Sequence, residues 1–320
     1  MFMNLLLCPR CNATFSLRSH DNFYCKHCKY TAYIEKGILD LCIENSEYAD
    51  DEQNLNYDTI SGDYNTTRGI GISLLPQGLF FIDCIKNVKN NPEIILDLGS
   101  GTGFPSIEIA TKVQQVIALD ISKNMLAQLW IRARMNKIKN ILPVRADIYN
   151  LPFKNKSIEI VTCHKIFNLL YNPVNAINEI KRVLCDTGRF FVLIPAIEAV
   201  EKFYSDCDVV DLYLSAIKNE IGETHFPSRE FLHELKEHFK YCSIVGQYES
   251  ETVFDKTYAS DMNLFENHYT KLLLPPGKYS DIIENIINVL KGKHGDNWGS
   301  IVHSKAKQNY YVYMCHDQAN

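Results

Sequence analysis

No stretch of the chain approaches the ~18 consecutive apolar residues that a bilayer-spanning helix needs, so a helical membrane protein is not expected. Charge of one sign is also scarce. The formal net charge of −5 gives no general attraction to nucleic acid or to acidic lipid. The opening Met1-Phe-Met-Asn-Leu-Leu-Leu-Cys8-Pro9 has no basic n-region, and its apolar run is short for a signal peptide; a cytoplasmic location is expected. What is present is ordinary in bulk. The 320 residues, 46% of them hydrophobic, can hold one large domain and a small module. Cysteine is the exception, because four of the eleven crowd into the first 28 residues. The dispersed remainder read as small buried apolar groups.

Cys8-Pro-Arg-Cys11 and Cys25-Lys-His-Cys28 make a C-x2-C-x13-C-x2-C pattern. Two such pairs can set four thiolates around one tetrahedral Zn²⁺. A redox pair would stand beside a βαβ unit and would not come matched. Two disulfides, or a spacing that arose by chance, would also give this pattern. Thr14-Phe15-Ser-Leu17 and Asn22-Phe-Tyr24 are predicted as short strands between the pairs. A segment this small cannot fold on apolar burial alone, so the metal would supply the missing stability. With Tyr33-Ile-Glu-Lys-Gly37-Ile-Leu-Asp40-Leu41, residues 5–43 resemble the small zinc-ribbon family that accompanies several methyltransferases. In that family the ribbon binds or steadies a partner more often than it does chemistry. Four protein thiolates leave no open coordination position, which makes the zinc structural. The first 45 residues carry five Lys/Arg against four Asp/Glu, so the ribbon is not a basic clamp. The ribbon is assigned to 1–43, and the acidic, aperiodic 44–56 is read as a linker.

A glycine bend dominates the rest. Ile94-Ile-Leu-Asp97-Leu-Gly99-Ser100-Gly101-Thr-Gly103-Phe-Pro105 reads as a buried strand, a turn with alternate glycines, and a helix over 103–112. Alternate glycines permit positive φ and let a ligand lie on bare main chain. Pro105 suits a first helical turn. An acid at the strand end repels a pyrophosphate but accepts from an ammonium or hydroxyl, so a cofactor other than a dinucleotide is indicated. A dehydrogenase fingerprint fits poorly: started from Gly99 it needs a small residue at Phe104, and started from Gly101 it meets Ser106. Strands and helices then alternate, with strands at 115–121, 141–147, 157–164, 188–194, 241–248 and 309–315 and helices at 122–136, 173–184 and 228–239. Asp97, Asp120 and Asp147 top the first three strands, at the edge where open α/β sheets bind ligands. Asp120 lies 17 residues beyond Gly103, near the position of a ribose-binding acid.

In order and spacing, Asp97-x-Gly99-x-Gly101-x-Gly103, Asp120-Ile121-Ser-x-x-Met125, Asp147 with Leu151-Pro152-Phe153, and Glu179-Ile-Lys-Arg-Val-Leu184 before Gly188-Arg-Phe-Phe resemble the class I S-adenosylmethionine-dependent methyltransferases, type 11-like. The resemblance covers about 55–318 and implies a doubly wound, Rossmann-like seven-stranded sheet over 57–318. It implies that Asp97, Gly99, Ser100, Gly101 and Gly103 hold the methionine part of S-adenosylmethionine. Asp120 would accept the ribose hydroxyls, Ile121 and Ile148 sandwich the adenine, and Asp147 accept its amino group. His164 would form the floor beneath the methyl group, and Tyr57 and Tyr64 would close over the cofactor.

Methyl transfer from a sulfonium is an in-line displacement, so alignment of the acceptor is the largest expected contribution. Where a proton must leave, His164 is the candidate base and Tyr64 a second catalytic candidate; Tyr171, His225 and His268 are remoter. No Asn-Pro-Pro-Tyr motif follows His164, and no Pro-Cys pair makes Cys163 a nucleophile. Segments 197–227 and 250–308 are predicted as a helical cap that roofs the acceptor. Phe254, Tyr258, Phe265 and Tyr269 are its candidate lining, and a helix is predicted at 278–291. A small-molecule acceptor is favoured. The alternative is RNA or a protein partner recruited through the ribbon, with Arg132, Arg134, Lys137, Lys139, Arg145, Lys291, Lys293, Lys305 and Lys307 as a possible basic face.

Overall fold

The computed structural model describes residues 2–43 except 20, then 57, 61–62, 75–87, 92–164, 166, 170, 172–195, 212, 215, 219, 228–254, 278–296 and 304–318. The linker 44–56, Tyr64, Tyr171, His225, Tyr258, Phe265, His268, Tyr269 and most of the two cap segments lie outside the described residues, as does the side chain of Phe254.

The central sheet forms because five-residue apolar runs bounded by polar turns bury both faces, as parallel strands under helices must. β5 (Ile94–Leu98) is buried at every position, and β6 (Gln115–Asp120) at all but its ends. Beside them lie β7 (Ile141–Arg145), β8 (Ile158–His164), β9 (Leu184–Pro195), β10 (Tyr241–Phe254) and β11 (Ser304–His316). Their order is β7-β6-β5-β8-β9-β11-β10, parallel through β9. β11 enters antiparallel between β9 and β10. This is the expected seven-stranded, doubly wound sheet, with longer final strands than the sequence indicates.

Helices α1 (Leu75–Lys86), α2 (Ser106–Ala110), α3 (Lys123–Met135), α4 (Pro173–Val183), α5 (Ser228–His238) and α6 (Lys278–His294) accompany it. Ser122 caps α3, its hydroxyl accepting from the Met125 amide at 3.1 Å, the standard satisfaction of an orphan helical donor. α2 is shorter than expected. Gly101 and Gly103 hold positive φ (51° and 97°), so the chain turns helical only after Pro105, which stands at the N-cap.

The N-terminal segment supplies β1 (Ser16–Ser19), β2 (Asn22–Tyr24), β3 (Thr31–Glu35) and β4 (Ile38–Asp40). These strands are continuous with the large sheet. β4 pairs parallel with β7, extending one sheet to eleven strands in the order β1-β2-β3-β4-β7-β6-β5-β8-β9-β11-β10. Phe23, Leu39 and Leu41 share one core with Val144, Leu151 and Phe153. An antiparallel bridge joins Leu6 to Phe153, and the Asn150 side-chain amide donates to the Pro9 carbonyl at 3.2 Å. Among the described residues, no helix is long and apolar enough to cross a membrane.

Candidate cofactor site and metal centre

The two cysteine pairs are built alike. The Cys8 carbonyl accepts from the Asn12 amide at 2.8 Å, and the Cys25 carbonyl from the Lys29 amide at 2.9 Å. The Cys8 amide donates to Ala13 and the Cys25 amide to Tyr30, both at 2.8 Å. Asn12 (φ 56°) and Lys29 (φ 66°) take the left-handed turn that closes each loop. Each turn aims its two thiols inward, and all four sulfurs lie within 4.8 Å of one another. The cross pairs Cys8–Cys28 and Cys11–Cys25 stand at 3.5 Å, near the ~3.8 Å edge of a tetrahedron with 2.3 Å metal–sulfur bonds. Burial pushes the Cys8 thiol up to about 12. Crowded thiols of this kind cannot all ionise without a cation among them, so the donor set fits a divalent, thiophilic metal.

The bend after β5 lies at the carboxyl edge. A Cβ at Gly99 would strike Ile166, and one at Gly103 would reach Leu129 at 2.8 Å, whereas among the described residues nothing lies within 4 Å of a Cβ built at Gly101. Protein packing therefore explains two of the glycines. At the third, Gly101, none of the described residues packs against the main chain. Its amide donates to Asp120 Oδ2 at 2.8 Å, and the Ser122 amide donates to Oδ1 at 2.9 Å. Asp120 ends β6 and ties the glycine bend to the turn leading into α3. The neighbouring Ser100 hydroxyl is buried with no partner among the described residues, a costly arrangement unless a ligand group completes it. These features fit a nucleoside cofactor with polar substituents lying across the bend.

Asp97 is more enclosed than a strand-end position suggests. It is 1% exposed, next to last in β5, with Oδ1 accepting from the Thr162 hydroxyl at 2.7 Å and Oδ2 from the Ser106 hydroxyl. Burial raises its carboxyl to about 6, and the two hydroxyls pull it part of the way back. Asp147 lies two residues beyond β7; one oxygen accepts from the Tyr149 amide at 2.9 Å. Burial raises this carboxyl as well. Ile121 and Ile148 are half-buried on the neighbouring loops.

His164 closes β8, with ring contacts to Phe81 of α1 at 5.6 Å and to Phe104 of the bend at 5.8 Å. It stands in an aromatic enclosure above the strand ends. Cys163 is fully buried, and burial raises its thiol far above the ordinary range, the opposite of an activated nucleophile. Tyr57 is helical and half-buried. Sequence reasoning missed Ser106, Thr162, Phe81 and Phe104 as site residues, and it put Arg145 on a possible basic face. Thr162 faces Asp97 through the register of β8 on β5, and the partners of Arg145 come from distant segments; no local pattern shows either.

A seven-stranded doubly wound sheet with a glycine bend after its first central strand is the methyltransferase type of α/β fold. Residues 89–262 match the methyltransferase-domain family, and the chain belongs to it. The uncharacterized methyltransferase YcgJ of Bacillus subtilis is 28% identical over 99 residues, 31% of this chain and 39% of YcgJ. Demethylmenaquinone methyltransferase of Clavibacter sepedonicus is 32% identical over 128 residues, 39% of this chain and 49% of that protein. The match thus spans half or less of these curated relatives. The crystal structure of YcgJ superposes with a TM-score of 0.52 at 16% identity, covering 75% of this chain and 99% of YcgJ. The [4+2]-cyclase SpnF superposes with a TM-score of 0.52 at 14% identity, covering 84% and 97%. At such identities the likeness is one of fold.

Proposed function

We propose that the protein transfers a methyl group from S-adenosylmethionine to a small-molecule acceptor. The observation that carries this reading is the Gly101 position, where a positive-φ glycine that no described residue packs against donates to the Asp120 carboxylate beside a Ser100 hydroxyl with no partner among the described residues. When bound, S-adenosylmethionine supplies an electrophilic methyl on a good leaving group. The residues then have to bind, orient and exclude water. In this reading Asp120 accepts the ribose hydroxyls, while Asp147 takes the adenine amino group between Ile121 and Ile148. Ser100, with the backbone at Gly99, Gly101 and Gly103, holds the methionine part. Asp97 acts from beneath, its carboxylate fixing the bend through Ser106 and favouring an ammonium above it once ionised. His164, walled by Phe81 and Phe104, takes a proton from the acceptor where one must leave. Tyr57 and Tyr64 close over the cofactor, and zinc occupies the four thiolates.

A small acceptor is supported by the acidic net charge and by a relative named for demethylmenaquinone. Recruitment of RNA has less support. Of the candidate basic face, Arg132 donates inward to the Thr102 carbonyl at 2.7 Å and Arg145 to the Ile121 carbonyl at 3.0 Å. A cytoplasmic location belongs to the same reading. Calorimetric titration of S-adenosylhomocysteine tests it. Asp120→Asn is expected to weaken binding between about tenfold and a hundredfold, as loss of charge-assisted hydrogen bonds implies. Unchanged affinity in that variant would overturn the assignment. Methyl release to an acceptor then separates transfer from a binding-only or cyclase role.

A further inference from the structure

The N-terminal strands bracket one particular turn of the catalytic domain. That turn, Asp120–Ser122, joins β6 to α3 and carries the acid and the isoleucine assigned to the adenosine. On one side, β4 adds to β7 with Leu39 opposite Val144 and Asp40 opposite Arg145, and the Leu41 amide donates to the Arg145 carbonyl at 2.8 Å. On the other, Gly37 (φ 82°) lies against the Trp130 indole of α3, where a Cβ would collide with the ring. Between them lies Arg145. Its Nε donates to the Ile121 carbonyl at 3.0 Å and its Nη1 to Asp40 Oδ2 at 3.3 Å. One residue further on, the Ala146 amide donates to the Asp120 carbonyl at 3.2 Å.

We propose that the metal-held ribbon sets the affinity of the adenosine side of the cofactor site, with Asp40 and Arg145 as its positioning residues. This rests on the cofactor reading above. Arg145 is the only described side chain donating to the Ile121 carbonyl. Asp40 fixes the guanidinium, and β4 fixes Asp40. β4 in turn follows the second cysteine pair by ten residues, and among the described residues its pairing with the large sheet is limited to the two pairs with β7. Four thiolates around one metal order the strands that present Asp40; without the metal, Asp40 and Gly37 are no longer held against Arg145 and Trp130. An arginine is required because its planar fork spans two acceptors, which a lysine cannot do.

The test titrates S-adenosylhomocysteine, and separately adenosine alone, into zinc-loaded protein, chelator-stripped protein, and the zinc-loaded variants Asp40→Asn and Arg145→Met. Metal content and urea midpoint are measured in each. Stripping is expected to weaken S-adenosylhomocysteine about tenfold and each variant about fivefold with zinc retained. Adenosine is expected to lose affinity by the same factors, since the defect lies on its side of the site. Asp40→Glu should recover part of the loss, and Arg145→Lys none. Zinc-retaining Asp40→Asn and Arg145→Met proteins that bind both ligands as the wild type does would overturn the coupling alone. A zinc-loaded wild type that binds neither ligand would overturn the cofactor reading beneath it.

Discussion

At one flank of the seven-stranded sheet the N-terminal strands join it, β4 meeting β7 through two residue pairs, Leu39 with Val144 and Asp40 with Arg145. At the other, β10 and β11 run side by side from Tyr241–His316 to Phe254–Ser304. β3, β2 and β1 continue the sheet beyond β4, and the two flanks of the seven-stranded part are secured by different means. The long antiparallel pair is held by cross-strand contacts along its length. The short parallel pair is too brief for that. It is held by a cysteine cluster behind it and by Phe23, Leu39 and Leu41, which enter the common core. A strand of three residues can therefore join a small ribbon to a large sheet when contacts beyond its own ladder hold it.

Removing the fastener is the sharpest way to break this comparison. Cys8→Ser is expected to lose the bound metal and lower the melting temperature by ~10 °C or more, read by metal analysis with calorimetry. A metal-free variant that melts with the wild type would mean that the near edge holds itself. The far edge should respond to packing instead. Tyr313, in the core beneath β11, truncated to alanine is expected to cost about 3 kcal/mol in urea unfolding with zinc content unchanged.

Asp97 lies between the edges and reports on the centre of the sheet. Burial raises its carboxyl from 3.8 to about 6, so the folded protein keeps a proton that the unfolded chain has released. That stability is complete below 3.8 and is lost as pH rises through about 6. From about pH 4 to about pH 7 the wild type should lose up to ~3 kcal/mol relative to Asp97→Asn. Urea midpoints at both pH values check this, and parallel curves would refute it. The smallest effect belongs to an exposed link at the near edge. Lys123 reaches Glu35 at 3.8 Å with both side chains largely in water, so Glu35→Gln should move stability by no more than about 0.5 kcal/mol.

Much of this architecture was legible in the residues. The x2 spacing of Cys8, Cys11, Cys25 and Cys28 gave the thiolate cluster, since only matched pairs can face one centre. The bend at Gly99, Gly101 and Gly103 was legible because positive φ leaves few other residue types. The succession of strands and helices along the chain followed from apolar runs separated by capped helices, as at Ser122, while the doubly wound sheet was what the family resemblance implied. What stayed hidden depended on registers that no local pattern encodes. The pairing of Asp40 with Arg145 joins segments about a hundred residues apart, and β4 reads like any short apolar run. The shielding of Asp97 by Ser106 and Thr162 was hidden for the same reason, as was the enclosure of His164 by Phe81 and Phe104. β10 and β11 outran their expected ends because polar residues such as Ser250 and Gln308 pair across the ladder where apolar alternation has stopped.

The partnership of β4 with β7 also fixes an order of events during synthesis. Asp40 leaves the ribosome 105 residues before Arg145, an interval of roughly 5–20 s at ordinary elongation rates. Throughout it, the nascent ribbon shows solvent the face that Leu39 and Leu41 later bury. Stalled chains ending before residue 141 should be cut by protease at that face, and chains extended past Phe153 should resist.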